Sequence, residues 1–392
     1  MPTTDPVALS RDLLFVAKTG GNFEIYGVNE DGSGLTGWQG NFRNIQQIAW
    51  AEDGSALAVL GERGPDPVVI YVTLRNESDN EISATVPATV TSTLAWSPHG
   101  NEIAFSAGDN QRERVYVFDS AERSVKPVSP DEVQRASWPQ YSPAGKWLTF
   151  RASNYPGCLE AGRCPTRLTL MNRQTGEVKQ ISAKMNPETH YPRNECDVIW
   201  SPDSSSLIFR DGCDPGEMPY RLYYYDLTSG DIRPPFQSAA TNVLFGDVAL
   251  RWLPDGEVLV RSDRNGVLQL LRVNPDDGVI KVALDWSEPF NYTGLDISHD
   301  GQQVWWTHSQ LWRGDTSSGL VASTGWPACE IDLSPTSDKI VFDKHCLPPE
   351  QRDNSLWVVG SDGGQSTNVS GSLDVPYLRG LWGWIPKQHP LP

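Results

Sequence analysis

One pattern of apolar and polar positions recurs along the chain. An apolar run ends in a large residue, a polar turn built on Ser-Pro-Asp-Gly follows, and a second apolar run leaves it. It reads IAWAEDGSALAVL from Ile48, LAWSPHGNEIAFS from Leu94 and PQYSPAGKWLTFR from Pro139. It continues as VIWSPDSSSLIFR from Val198, LRWLPDGEVLVRS from Leu250, LDISHDGQQVWWT from Leu295 and IDLSPTSDKIVFD from Ile331. Trp50, Trp96, Tyr141, Trp200, Trp252, Ile297 and Leu333 hold the same place in these seven copies. Short apolar runs bounded by Gly, Pro, Asp and Ser predict β-hairpins. After each hairpin comes a third apolar run and another polar turn, as in EIYGVNEDG, RVYVFDSAE and RLYYYDLTSG; eight such runs are present. No helical periodicity of useful length interrupts them.

An eighth copy is divided between the ends. LWGWIPK places Trp384-Ile385-Pro386 where Trp252-Leu253-Pro254 stands, and LLFVAK from Leu13 supplies what should follow. A period of about 50 residues with several short strands per repeat predicts a β-propeller. The expectation is an all-β fold: one eight-bladed propeller of four-stranded antiparallel blades, closed by the C-terminal strand joining the N-terminal strands. Seven blades is the alternative. Residues 1–392 form a single domain in this reading, with 1–10 a flexible tail. A ring closed by both termini leaves no unpaired blade edge.

The repeats resemble the TolB-type propeller repeat, whose signature is W-S-P-D-G followed by I-A-F-like and I-Y-V-like strands. LAWSPHGNEIAFS and EIYGVNEDGSG are the closest matches. The resemblance covers nearly the whole chain but concerns architecture. TolB carries a further α/β domain ahead of its propeller that this sequence does not show, so the role of TolB is not implied. The blade count also resembles the propeller of dipeptidyl-peptidase-type enzymes, which add an α/β-hydrolase domain. No G-x-S-x-G nucleophile elbow occurs here.

Six cysteines fall in a telling arrangement. CDVIWSPDSSSLIFRDGC spans Cys196 to Cys213, and CEIDLSPTSDKIVFDKHC spans Cys329 to Cys346. If the cysteines of each stretch face one another across the hairpin, Trp200 faces Phe209 and Leu333 faces Phe342. The same register pairs Trp96 with Phe105 and Tyr141 with Phe150. Facing residues of an antiparallel pair lie within disulfide reach. The expected bridges are Cys196–Cys213, Cys329–Cys346 and, within CLEAGRCP, Cys158–Cys164. Disulfides imply an oxidising compartment. The expectation is a periplasmic, cell-surface or secreted protein; MPTTDPVALS lacks a signal-peptide core, so an exported form would have lost its signal. Asn76, Asn291 and Asn368 begin glycosylation sequons, which are frequent by chance.

Composition narrows the partners. The formal net charge is −17, which disfavours nucleic acid and anionic lipid. No apolar run approaches the length of a membrane span. The first strand of each blade lines the channel of a propeller. There the early repeats offer the neutral Gln47, Thr93 and Gln140; the later ones offer Asp197, Arg251, Asp296, Glu330 and Asp332. Converging carboxylates are hard oxygen donors suited to Ca²⁺. The competing reading is a solvated channel in which Arg251 neutralises Asp296. No cofactor, metal site or catalytic residue is otherwise indicated: none of the six histidines falls on a channel strand. Of fifteen tryptophans, Trp38, Trp138, Trp286, Trp305, Trp312, Trp326 and Trp357 lie off the repeat position. An exposed one would offer a flat gripping face. The function expected is a non-enzymatic, monomeric scaffold for a protein or peptide; the alternative is a carbohydrate-binding or carbohydrate-active propeller using channel carboxylates and loop tryptophans.

Overall fold

The computed structural model describes residues 10–63, 68–74, 81–109, 112–153, 166–181, 195–212, 221–234, 247–264, 267–286, 294–347, 353–375 and 382–386. Every helix-or-strand element among them is a β-strand. Four sheets contain four antiparallel strands each, in chain order; they begin at Glu195–Trp200, Val248–Trp252, Leu295–Ile297 and Ile331–Leu333. Two sheets are larger, with seven and eight strands. In the seven-stranded sheet the long strand Thr36–Trp50 pairs first with Asn22–Val28 and then with Ala56–Arg63. In the eight-stranded sheet two runs of strands are joined only by the parallel pair Arg135 and Glu113.

The two ends of the chain share a sheet. Trp382–Trp384 pairs antiparallel with Leu13–Thr19, Leu13 facing Trp384, Leu14 facing Gly383 and Phe15 facing Trp382. Just beyond the ladder, the Ile385 N–H donates to the Asp12 carbonyl at 2.8 Å. This is the junction anticipated from the divided repeat.

The apolar side chains form clusters between sheets. Leu168, Leu170 and Ile181 meet Trp200, Leu207 and Phe209 of the next sheet. On the other face of that sheet, Ile208, Leu222 and Tyr224 meet Val258, Val260 and Leu271. Strand alternation sends neighbouring residues to opposite faces, so Leu207 and Ile208 serve two different interfaces. At the closing junction Leu13, Phe15 and Trp384 pack on Val341, Leu356 and Val358.

The hairpin register differs from the sequence expectation by two residues. Trp200 faces Leu207, not Phe209; Leu333 faces Ile340, not Phe342. Trp96 faces Ile103, not Phe105, and Tyr141 faces Leu148, not Phe150. The turn is the cause. The Ser201 N–H donates to the Ser206 carbonyl, and the Ser204 N–H to the Ser201 carbonyl, both at 2.9 Å. That closes the hairpin around Pro202–Ser205 and tightens the pairing. In the matching turns Gly100 and Gly145 take φ of 67° and 68°, where glycine is unstrained. A two-residue shift keeps every side chain on its face, so apolar patterning alone could not reveal it.

Cys329 and Cys346 are bridged, with Cα atoms 5.7 Å apart. They do not face each other in the ladder. Cys329 donates its N–H to the Asp343 carbonyl, and a turn from Lys344 to Leu347 returns Cys346 to it; the Cys346 N–H lies 2.9 Å from the Cys329 sulfur. Cys196 is also disulfide-bonded. Cys158, Cys164 and Cys213 lie outside the described residues, as do Asn76 and Asn291.

Trp384 is buried in the closing junction, so Trp384→Ala should lower unfolding free energy by roughly 3–5 kcal/mol. Equilibrium urea denaturation would measure this; an unchanged midpoint would show that the junction does not hold the ring.

Candidate functional site

Of the polar residues singled out above, Gln47, Asp296 and Asp332 tie one sheet to the next. Gln47 Oε1 accepts the Leu94 N–H at 3.0 Å, and the Trp96 indole N–H donates to the Ala49 carbonyl at 2.9 Å. Asp296 Oδ2 accepts the Leu333 N–H at 2.8 Å, while its Oδ1 accepts the Ile297 N–H at 2.7 Å. Asp332 Oδ2 accepts the Trp384 N–H at 3.2 Å, and the Trp384 indole donates to the Asp332 carbonyl at 3.0 Å. A Cβ on Gly383 would stand 3.2 Å from Asp332 Oδ2; glycine there makes room for the carboxylate.

Asp296 and Asp332 are therefore engaged in sheet-to-sheet ties. Arg251 approaches Asp296 at 4.0 Å, too long for a hydrogen bond. Glu330 precedes its strand, and its carbonyl accepts the Asp343 N–H at 3.2 Å. Among the described residues no group of three or more His, Cys, Asp or Glu side chains is placed to hold a metal. The Ca²⁺ reading of Asp296, Glu330 and Asp332 thus has no three-carboxylate group behind it among the described residues.

The pair still has unusual electrostatics. Protein surrounds both carboxyls on most sides. Burial, followed by the charge of Asp296, pushes Asp332 up to about 7. Burial also raises Asp296, against the opposing pull of the Leu333 and Ile297 N–H groups and of Arg251. Two carboxylates with little water between them resist joint ionisation.

Asp197 stands in a different setting. Its carboxylate meets Arg210 at 2.7 Å and Arg151 at 3.9 Å. It sits in a β-bulge, where Asp197 and Val198 oppose the single residue Phe209. The preceding sheet has the same bulge: Trp138 and Pro139 oppose Phe150. Proline at the bulge forfeits no ladder bond, having no N–H. Trp138 and Asp197 both take left-handed backbone, φ 57° and 49°, which costs a non-glycine residue of order 1–3 kcal/mol. Trp138 is 49% exposed, and the Arg151 guanidinium lies over its ring, 5.4 Å from the centroid. Arg151 and Arg210 hold equivalent rungs, facing Ser137 and Cys196 just before each bulge.

Other candidates resolve simply. Trp38 and Trp305 are buried at 2% and 0% exposure; Trp312 stacks on Trp306. The Trp286 side chain, His190 and His389 lie outside the described residues. His345 Nε2 lies 2.9 Å from the Val375 carbonyl and its Nδ1 3.4 Å from Asp343. Burial would lower its pKa, but Asp343 and that carbonyl outweigh it and raise it. A cleft of about 380 Å³ between two turns is lined by Ser201, Asp203, Tyr224, Trp252, Pro254 and Asp255.

Comparison with known proteins adds the following. The model of the eukaryotic translation initiation factor eIF2A family matches residues 16–156. The uncharacterized peptidase YuxL of Bacillus subtilis (strain 168) is 26% identical over 189 residues, 48% of this chain and 24% of that protein. Dipeptidyl-peptidase 5 of Porphyromonas gingivalis is 23% identical over 203 residues, 48% of this chain and 26% of that protein. The match thus spans about a quarter of each of these relatives. Among solved structures, an oligogalacturonate lyase in complex with manganese superposes at TM-score 0.56 and 14% identity, over 93% of this chain and 96% of the other. A prolyl endopeptidase superposes at 0.60 and 14% identity, over 85% of this chain and 50% of the other. TolB from Acinetobacter baumannii is also similar, at 0.42 and 16% identity, over 83% and 81%. The likenesses to the lyase and the endopeptidase show the fold alone: the chain is a β-propeller.

The shifted carboxyl makes stability depend on pH. Asp332 is raised from 3.8 to about 7 on folding, so between these values the folded state binds more protons than the unfolded state. Stability then falls as pH rises through that window and levels off above it. Asp332→Asn keeps an acceptor for the Trp384 N–H and removes the charge. Thermal melts should show the variant more stable than the parent above about pH 7, by roughly 2–4 °C or more, with the gap closing towards about pH 4. A gap independent of pH would refute the assignment.

Proposed function

We propose that this chain is a single-domain propeller of eight four-stranded blades that works outside the cytoplasm as a monomeric, non-enzymatic scaffold for a protein or peptide. The blade count rests on dividing both larger sheets. The strand Thr36–Trp50 serves as outer strand of the closing blade and inner strand of the next, and the single Arg135–Glu113 link joins two separate blades. Eight apolar clusters among the described residues fit one interface between each neighbouring pair of blades.

The binding reading rests on one observation: Trp138 is half exposed on strained backbone in the middle of its inner strand Arg135–Tyr141. Strain of this kind persists where surrounding structure enforces it, and such sites often serve binding. The curated relatives are peptidases by name, and the part they share with this chain fits peptide handling. Among the earlier candidates, Asp197 sits at the equivalent bulge of the next sheet, whereas Asp296 and Asp332 tie neighbouring sheets. The disulfides fit an oxidising compartment.

Two measurements test this. Immobilised protein should retain peptides from a random library, and Trp138→Ala should lose most of that retention while melting at the parent temperature. Binding of oligosaccharides in place of peptides would favour the carbohydrate reading, and binding of neither would end both. Separately, loss of the Cys329–Cys346 bridge should lower stability by about 3 kcal/mol for a loop of this size. Urea midpoints of the parent and of the Cys329→Ala, Cys346→Ala double variant read this out; an equal midpoint would remove the stability argument for an oxidising compartment.

A further inference from the structure

We propose that the cleft between two neighbouring hairpin turns, lined by Asp203, Trp252, Asp255 and Asp276, takes the arginine side chain of a peptide. It belongs to different sheets from Trp138, so it goes beyond the reading above and does not depend on it.

Two adjacent four-stranded sheets build the cleft. The turn Ser201–Ser206 of one sheet supplies one wall. The turn around Pro254 and Asp255 of the next sheet supplies the other, with Pro275 and Asp276 from the turn between its third and fourth strands. Tyr224 and Trp252 also line it, their ring centroids 6.2 Å apart. The volume, about 380 Å³, falls in the range of small-ligand sites. One guanidinium already packs beside it. Arg233 lies over the Tyr224 ring, 4.4 Å from the centroid, and donates to the Pro275 carbonyl at 2.6 Å. That bond runs from the outer strand of one sheet to a turn of the next and holds the two walls together.

The carboxylates decide the ligand class. Asp203, Asp255 and Asp276 are all exposed. Asp203 accepts from the Ser201 hydroxyl at 2.7 Å and the Ser205 N–H at 3.0 Å; these bonds lower its pKa and keep it ionised at neutral pH. Arg272 meets Asp255, yet the Asp255 side chain stays 55% exposed. A carboxylate has about four acceptor sites, so each keeps room for another donor. The hydroxyls of Ser201 and Ser205 already donate to Asp203. The cleft therefore presents acceptors beside apolar wall. A guanidinium is donor only and always charged, its plane stacks on aromatic rings, and its apolar stem suits the surface of Pro202 and Pro254. A lysine ammonium matches the charge without the plane. A sugar hydroxyl would bring acceptor lone pairs against carboxylates. A chain of net charge −17 steers cations in and anions away.

Fluorescence anisotropy on the intact chain at low ionic strength tests this. Three glycine-serine decapeptides, labelled with a neutral dye, differ at one central residue: arginine, lysine or citrulline, the uncharged analogue of arginine. The arginine peptide should bind at least about tenfold more tightly than the citrulline peptide. Asp276→Asn should weaken it about threefold, and Asp203→Asn with Asp276→Asn about tenfold. Asparagine at 203 keeps an acceptor for the Ser205 N–H, and Asp276→Asn alone serves if the pair fails to fold. Asp31→Asn, in a turn of the seven-stranded sheet, should leave binding unchanged. Equal binding of the arginine and citrulline peptides would overturn the proposal. So would an equal loss on Asp31→Asn, which would mark a diffuse response to net charge. Lysine binding as tightly as arginine would overturn the choice of arginine. Failure of all three peptides would overturn the cleft as a site and leave the Trp138 reading to its own library measurement.

Discussion

A strand that is apolar on both faces has to be covered on both sides, and this requirement governs the molecule. Leu207 and Phe209 point to one neighbouring sheet while Ile208 points to the other. Ile340 and Phe342 pack against Trp305, and Val341 between them packs against Leu13 and Phe15. A sheet with two apolar faces stacks on both sides, and a stack of such sheets ends in exposed apolar surface unless it closes on itself. The ring is the solution that leaves neither face wet.

Closure then depends on three residues at the far end of the sequence. Trp382–Trp384 joins Leu13–Phe15 and brings Trp384 against Asp332. The tie repeats elsewhere as Trp96 on the Ala49 carbonyl, so the junction reuses the ordinary contact between blades. The Asp332 carboxyl accepting the Trp384 N–H likewise repeats the Asp296 tie to the Leu333 N–H; the junction differs in holding a carboxyl pushed up to about 7. Its raised pKa sits where the two ends of the chain meet, which couples protonation to closure.

The proposed binding surface sits where the repeat departs from itself. Gln47, Asp296 and Asp332 stitch neighbouring sheets, whereas Trp138 and Asp197 occupy bulges with left-handed backbone. The repeat architecture tolerates such a departure because each blade contacts only its neighbours. A local distortion in two adjacent blades does not travel round the ring.

The sequence by itself determined the repeat, the strand content and the divided closing unit, because period and turn chemistry are local properties written into each copy. It also marked Cys329 and Cys346 as a pair. The tertiary structure alone decided the hairpin register, since a two-residue shift leaves every apolar residue on its face and only the turn hydrogen bonds distinguish the two. It decided too that Asp296 and Asp332 face backbone N–H groups of the next blade, with no third carboxylate joining them. Arg151 and Arg210 were in view as equivalent letters of two repeats, FRAS and FRDG, but their meeting with Asp197 and Trp138 arises from bulges. A bulge is set by the competition between strand twist and packing across blades, which no single stretch of sequence encodes.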